Sequence, residues 1–149
     1  MRLEEALKSN KFKNSQHKAT LNVLYTAWCL KSEMSRVLKT YGLTHEQYNV
    51  LRILKGKHPE QMCVKDIANR MIEKSSNVPR IIDRLVAKEW VIRSTSEIDK
   101  RETVNQLTEE GIRILQESTK ALDVQLEGMM QLNEDQAAQL NELLEGMRK

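Results

Sequence analysis

The segment KSSNVPRIIDRL, from Lys74 to Leu85, combines side chains that can recognise nucleic acid with apolar residues at helical spacing. Ser and Asn can bond phosphates, Asn can pair with an adenine edge, and Arg can form two parallel hydrogen bonds with guanine or a phosphate. Val78, Ile81, Ile82 and Leu85 recur on the opposite side. The segment therefore predicts an amphipathic helix. Its polar face is either a solvated surface or a surface that reads DNA.

The polar face of this helix bears Ser76, Asn77, Arg80 and Arg84. Pro79 fits such a helix if Ser75 or Ser76 is the N-cap, because N–H groups near the helix start have little or no intrahelical use. Ser76 is the easier cap of the two, since it places Pro79 at the third helical position.

A second polar cluster follows in the run from Arg93 to Arg101, where Lys100 adds a third cation. An extended ribbon is thin enough to place an arginine in the minor groove of DNA, where the potential is most negative. Asp99 precedes Arg101 by two residues, so its carboxylate can accept hydrogen bonds from the guanidinium and orient it. The alternative is a solvated turn, because Asp and Lys are common in turns.

The elements that must position these clusters can be predicted from periodicity and capping residues. A first long helix is predicted from about Ser15 to Thr40, and Gly42 ends it. Thr44 and Gln47 form a capping box that opens a second helix, and a short third helix follows. The third helix spans about Val64 to Met71.

The chain changes to a strand pattern after the amphipathic helix. WVIRST and ETVNQL are β-type runs separated by the polar SEIDKR, which predicts a hairpin with a long charged tip. Helical spacing resumes at Thr108, and Asn133 with Gln136 caps a last helix. Two short helices joined by a tight turn and followed at once by a hairpin predict a winged helix-turn-helix in a mainly α protein. This context favours the DNA-reading interpretation of the polar face.

Composition agrees with a soluble globular protein. The 149 residues are 40% hydrophobic and 30% charged, which excludes a disordered chain, and only 4% are aromatic. Residues 1–101 hold 20 Lys and Arg against 11 Asp and Glu, whereas residues 102–149 hold 4 against 10. This asymmetry predicts a basic surface for a polyanion and an acidic part with another role. The chain contains no signal-peptide core and no apolar run of membrane-spanning length, so we expect a cytoplasmic protein; the resemblance described next implies that it is also bacterial and nucleoid-associated.

Five segments of the chain resemble the MarR family of bacterial transcriptional regulators, in the family's order and spacing. They are GLTHEQYNVL (Gly42–Leu51), VKDIANRM (Val64–Met71), SSNVPRIIDRLVAKEWVIR (Ser75–Arg93), DKR (Asp99–Arg101) and LTEEG (Leu107–Gly111). The resemblance implies a homodimer whose first and last helices intertwine and whose paired winged helices bind a pseudo-palindromic operator. It also implies that Ser76, Asn77 and Arg80 lie on the recognition helix, and that Arg101 is the wing arginine partnered by Asp99.

Domain boundaries and DNA contacts follow from these patterns and the resemblance. We expect N-terminal dimerisation helices in residues 1–42, a winged helix-turn-helix in residues 43–108, and C-terminal dimerisation helices in residues 109–149. The residues predicted to contact DNA are Lys65, Lys74, Ser75, Ser76, Asn77, Pro79, Arg80, Arg84, Arg93, Asp99, Lys100 and Arg101.

Two positions depart from the family pattern. Glu89 stands where the family usually has Gly at the end of the recognition helix, and a left-handed cap there would cost a non-Gly residue roughly 1 kcal/mol. That turn is therefore expected to differ. Pro79 replaces a small polar residue, which puts one DNA contact in doubt.

Regulation by a small aromatic or anionic effector is implied by the resemblance. Tyr25, Trp28 and Tyr48 are the candidate pocket residues, although aromatic residues at helical spacing more often form plain core. Cys29 and Cys63 are interpreted as reduced, with Cys29 as buried filler and not a redox sensor. The three histidines are scattered, so neither a metal nor another cofactor is expected.

Two rival functions are less well supported by the sequence. A winged protein-interaction or dimerisation module should carry apolar groups where Ser76, Asn77 and Arg80 stand, and it does not. An enzyme should carry a nucleotide-binding or nucleophile motif, and the chain contains no P-loop, dinucleotide fingerprint or G-x-S-x-G. The sequence thus predicts a dimeric, sequence-specific DNA-binding regulator that is not an enzyme, and a repressor more readily than an activator.

Overall fold

The structure is a computed structural model that describes residues 1–148. Within these residues the elements are α1 (Leu3–Leu7), α2 (Ser15–Lys39), α3 (His45–Lys57), β1 (Met62–Cys63), α4 (Val64–Arg70), α5 (Val78–Ala87), β2 (Val91–Thr95), β3 (Thr103–Leu107), α6 (Glu109–Met129) and α7 (Glu134–Gly146). The fold predicted from the sequence, mainly helical with a small wing, is confirmed.

Helix starts follow the capping residues that the sequence predicts. Thr44 Oγ1 accepts the Gln47 amide at 3.1 Å, and the Gln47 side chain returns a bond to the Thr44 amide. Asn133 and Gln136 form the same reciprocal box at the start of α7. Each box satisfies two donors that the first helical turn leaves without partners, which places the helix start.

The three strands form one antiparallel sheet in the order β1-β3-β2. The hairpin of β2 and β3 is confirmed, with Arg93 opposite Asn105 and Ser94 opposite Val104. β1 pairs with the other edge of β3 and was not predicted, because two residues carry no periodic signal. The short helix α1 was also missed.

The core lies between α3, α4, α5, the sheet and α6. Fully buried side chains include Leu51 and Leu54 of α3, Ile67 of α4, and Ile82 and Leu85 of α5. These residues are the apolar positions at i, i+3 and i+4 spacing, so the stripe seen in the sequence is the face that packs. The polar face of α5 must therefore point away from the core.

The exit from α5 is a left-handed turn. Glu89 has φ 60°, and the Trp90 amide donates to the Leu85 carbonyl at 3.1 Å. The Thr108 hydroxyl donates to the Glu89 carbonyl at 2.7 Å, and the Thr108 amide donates to the Trp90 carbonyl at 3.1 Å. The expectation that this turn would differ from the glycine-capped form was wrong, because Glu89 adopts the left-handed conformation itself.

The terminal helices leave large apolar side chains exposed. α6 packs on α2, but α7 contains no buried residue. The most exposed large apolar residues of these helices are Leu24 (63%), Trp28 (63%), Val124 (69%) and Leu143 (67%), and Met147, which follows α7, is also exposed (56%). Within residues 1–148, no helix combines the length and the apolarity that crossing a bilayer requires.

Candidate nucleic-acid interface

The start of α5 lies one residue later than the sequence predicted. Asn77 is the N-cap, with φ −102°, and its amide donates to Ser75 Oγ at 3.0 Å. The prediction of Ser75 or Ser76 as N-cap was wrong, because Ser75 instead closes the turn that precedes the helix. Pro79 is consequently the second helical residue, where its missing N–H costs no intrahelical bond.

The polar face of α5 forms one wall of a cleft. Asn77, Arg80 and Arg84 line this cleft of about 230 Å³ together with Thr44, Glu46 and Gln47 from the start of α3. Asn77, Arg80 and Arg84 are exposed, as are Ser76 and Pro79, while Ser75 is half-buried. The structure therefore brings the predicted residues of the recognition helix to one surface.

The two arginines of α5 and the arginine of the wing form no ion pair with the described carboxylates, although Glu46 lines the same cleft and Asp99 bonds the Arg101 amide. Among residues 1–148, no carboxylate lies within ion-pair distance of Arg80, Arg84 or Arg101. Exposed cations without a protein partner are available for phosphates or guanine edges.

Arg93 has a partner within the chain. Its guanidinium forms an ion pair with Asp83, on the exposed side of α5. The pair connects the first wing strand to the middle of α5 and was not predicted, because the two residues are assigned to different elements. The predicted DNA contact of Arg93 remains a prediction.

The wing tip is organised by the side chains of Ser96 and Asp99. Ser96 is buried, and its hydroxyl accepts the amides of Ile98 at 3.3 Å and Asp99 at 3.2 Å. Asp99 Oδ1 accepts the backbone amide of Arg101 at 3.0 Å. The sequence predicted that Asp99 accepts from the Arg101 guanidinium. In the structure Asp99 instead accepts from the Arg101 main-chain amide and closes a local turn. Arg101 and Lys100 are exposed on this ordered loop.

The remaining predicted contacts lie around the helix-turn-helix. Lys65 is exposed in the first turn of α4. Lys74 is exposed in the turn before α5, and its ammonium donates to the Asn69 carbonyl at 2.6 Å. Both lysines are accessible, and their contact with DNA remains a prediction.

The three aromatic residues proposed for a pocket occupy two settings. Tyr25 and Trp28 lie together on α2, with ring centroids 5.7 Å apart, and Trp28 is exposed. Tyr48 is buried, and its hydroxyl bonds Thr119 Oγ1 of α6 at 2.9 Å. Tyr25 and Trp28 therefore present an outer surface of α2, whereas Tyr48 belongs to the packing of α3 on α6.

A cavity of about 490 Å³ lies beside Tyr48 and Thr119, between α3 and α6. Its lining includes the cations Arg52, Lys55 and Lys120, with Asp123 as the carboxylate and Leu115 as buried apolar wall. Neither Tyr25 nor Trp28 lines it. Sequence reasoning missed these cations, because residues of α3 and α6 meet only in the folded chain.

The cysteines form no disulfide, and both are half-buried, so Cys29 is less buried than the expectation of buried filler implied. Burial raises the pKa of the Cys63 thiol, which leaves it a poor nucleophile at neutral pH. Within the described part of the chain, no three His, Cys, Asp or Glu side chains lie together as metal ligands.

Comparisons with known proteins agree with this geometry. A family model described as the MarR family matches residues 43–103. The HTH-type transcriptional regulator MgrA of Staphylococcus aureus is 30% identical over 110 residues, which cover 74% of this chain and 73% of MgrA. The structure of the MarR family regulator Sco3205 of Streptomyces coelicolor in complex with DNA superposes with a TM-score of 0.82 at 19% identity, covering 94% of this chain and 90% of that one. The organohalide-sensing regulator RdhR-CbdbA1625, bound to 2,4-dichlorophenol, superposes with a TM-score of 0.79 at 17% identity, covering 93% and 86%.

Proposed function

Because the chain belongs to the MarR family of transcriptional regulators, we propose that it binds a pseudo-palindromic DNA operator sequence-specifically, as a homodimer, and represses transcription. In this proposal α5 enters the major groove and the loop bearing Arg101 enters the adjacent minor groove. The proposal implies a cytoplasmic protein associated with the nucleoid and without enzymatic activity.

The observation that carries the proposal is the division of α5 into two faces. Val78, Ile82 and Leu85 are fully buried, while Arg80 and Arg84 project from the other side without carboxylate partners among residues 1–148. A helix fixed by its apolar face and presenting Asn and Arg outward fits the major groove, whose base edges these side chains can read. The competing module for protein interaction would need apolar groups on that face.

The terminal helices support the dimer. A single winged domain meets one half-site and makes few base contacts, whereas a dimer reads two half-sites about one helical turn apart. Large apolar residues of α2, α6 and α7, among them Trp28 and Leu143, are exposed to solvent. Their burial against a second copy would remove them from solvent and would join two winged domains.

Release by a small effector is the second part of the proposal. The cavity beside Tyr48 combines an apolar wall with Arg52, Lys55 and Lys120, a lining that suits a small aromatic anion. The structural neighbour RdhR-CbdbA1625 binds 2,4-dichlorophenol. Thermal-shift measurements with 2,4-dichlorophenol and benzoate, on the wild type and on Arg52→Gln, test this part. A shift that is unchanged in the variant would place the ligand elsewhere.

The operator is tested by capturing genomic fragments on the purified protein and footprinting those that bind. The expected footprint is two related half-sites about one helical turn apart. Arg101→Ala should reduce the slope of log affinity against log salt by about 2 for a dimer, because each wing loses one cation that displaces counterions from the DNA. Arg36→Ala removes a cation that is paired with Glu33 on α2, and it should leave the slope unchanged. Equal slopes in the wild type and in Arg101→Ala would refute the wing contact.

A further inference from the structure

The turn that precedes the recognition helix is connected to the long N-terminal helix by one ion pair. Lys31 Nζ of α2 donates to both carboxylate oxygens of Glu73, at 2.6 Å and 2.8 Å. Glu73 lies between α4 and α5, at 42 positions from Lys31 in the chain. The pair therefore joins a helix of the predicted dimerisation part to the helix-turn-helix.

The middle of this turn has few other attachments. Met71 at its start and Val78 at the start of α5 are buried in the core, but Ile72, Glu73 and Lys74 between them are exposed. The Ile72 amide donates to Asn49 Oδ1 of α3 at 3.0 Å, and Lys74 bonds the carbonyl at the end of α4. These two bonds stay within the winged domain. Within residues 1–148, the Lys31–Glu73 ion pair provides the side-chain hydrogen bonds between α2 and this turn.

Lys31 and Glu73 shift each other's pKa, as expected for an ion pair. The hydrogen bond to Lys31 lowers the pKa of Glu73, and the same bond raises the pKa of Lys31. Both groups therefore remain charged across the neutral range. Both side chains are also half-exposed, so the pair is accessible to salt and to exchange of its partner.

A fixed angle between α2 and α5 matters in a symmetric dimer. The two recognition helices must meet half-sites about 34 Å apart, and the two-fold axis doubles any error in the position of one helix. α5 packs mainly on α3, α4 and β2. Its position relative to the dimer axis therefore depends on α3, on the link that Thr108 makes between the end of α5 and α6, and on the turn that carries Glu73.

We propose that Lys31 and Glu73 are positioning residues that set the spacing of half-sites the dimer accepts, by holding the helix-turn-helix against α2. This inference rests on the proposed function. Neither residue needs to touch DNA in this role, which separates it from a phosphate contact by Lys31. The alternative, a surface pair without consequence, predicts no effect of either residue on spacing.

The experiment uses full-length Lys31→Glu, Glu73→Lys and the double exchange, with operators whose half-sites are moved apart or together by one base pair. The readout is the ratio of affinities for native and altered spacing, because a changed net charge near DNA cancels in that ratio. Each single variant should lower the ratio by about threefold to fivefold, the upper part of the range for an exposed ion pair. The double exchange, which restores the pair with reversed charges, should return the ratio to within twofold of the wild type.

The matched control is Lys18→Glu. Lys18 of α2 forms a comparable ion pair with Glu4 of α1, remote from the helix-turn-helix in sequence, and its loss should leave the ratio unchanged. Amide hydrogen exchange of residues 71–77 gives a readout without DNA: the single variants should exchange faster and the double exchange should recover protection.

Each outcome decides between the alternatives. Unchanged ratios in both single variants, or a double exchange that fails to restore both ratio and protection, would overturn the positioning role. An affinity that falls equally for both spacings in Lys31→Glu, with the ratio unchanged, would indicate direct DNA contact by Lys31 and would also overturn the positioning role. A wild-type protein that binds no operator refutes the proposed function itself, and amide exchange then still reports whether the pair holds the turn.

Discussion

Replacing Glu89 with glycine should stabilise the protein, although it deletes the whole side chain. Glu89 follows α5 with φ 60°, and its amide donates to the Val86 carbonyl at 2.9 Å while the next amide reaches Leu85. This is the left-handed exit that glycine adopts without steric cost.

The magnitude follows from two opposing terms. An L-residue in the left-handed region costs about 1–2 kcal/mol, which glycine removes. Glycine also makes the unfolded chain more flexible, which costs about 0.4–1 kcal/mol. The Glu89 side chain is exposed and forms no hydrogen bond or ion pair within residues 1–148, so its removal deletes no polar contact. The bond from Thr108 to the Glu89 carbonyl involves only main chain at position 89 and survives. We expect the free energy of unfolding to rise by about 0.5–1 kcal/mol.

The assay is urea unfolding at a fixed protein concentration, because dimerisation makes apparent stability depend on concentration. Glu89→Ala is the matched control: it removes the carboxylate but keeps the Cβ, so its stability should stay within about 0.5 kcal/mol of the wild type. The melting temperature of Glu89→Gly should rise by about 1–4 °C. A glycine variant no more stable than the alanine variant would refute the argument that this turn is strained.

Three further predictions concern the sheet, the start of α6 and the Lys31–Glu73 pair. Asn105 is buried, and its side-chain amide donates to the Met62 carbonyl at 3.2 Å, while no described residue bonds its Oδ1. Asn105→Ala should lower the free energy of unfolding in urea by about 1–3 kcal/mol. Asn105→Leu should lower it by less, because leucine fills the space and removes the unpaired oxygen. Gly111→Ala should cost about 1–3 kcal/mol, since its Cβ would lie 2.1 Å from the Trp90 carbonyl oxygen. The contribution of the Lys31–Glu73 ion pair to stability should be present at neutral pH and lost as pH falls through the lowered pKa of Glu73. An NMR titration should therefore report a Glu73 pKa below that of a free Glu, and a higher one in Lys31→Gln.

Features determined by neighbouring residues could be predicted from the sequence. The capping pairs at Thr44 and Asn133 were correct, because each hydrogen bond joins residues three apart. The apolar stripe of α5 was correct as well, since helical spacing alone decides which side chains share a face. The polar face of the presumed recognition helix followed from the same periodicity.

Features that depend on distant residues could not be predicted. β1 exists because Met62 and Cys63 pair with Asn105 and Val104, which lie far along the chain. The spacing of Asp99 and Arg101 permits a bond to either the amide or the guanidinium, and only the turn made by Ser96 selects the amide. The position of the N-cap at Asn77 was missed for a related reason, because the Ser75 hydroxyl was free to cap the helix or to close the turn before it.

The hydrogen bonds of Thr108 attach the start of α6 to the exit of α5, so α6 would rotate about this end. This one residue bonds the Glu89 and Trp90 carbonyls and also caps α6 by accepting the Gly111 amide at 2.9 Å. A helix of 21 residues is about 30 Å long, so a displacement of about 5 Å at its far end rotates it by only about 10° about the Thr108 end. A displacement of α6 near α7 therefore moves the residues around Trp90 by much less. A small rotation of α6 near Thr108, by contrast, would displace the far end of the helix by several times as much.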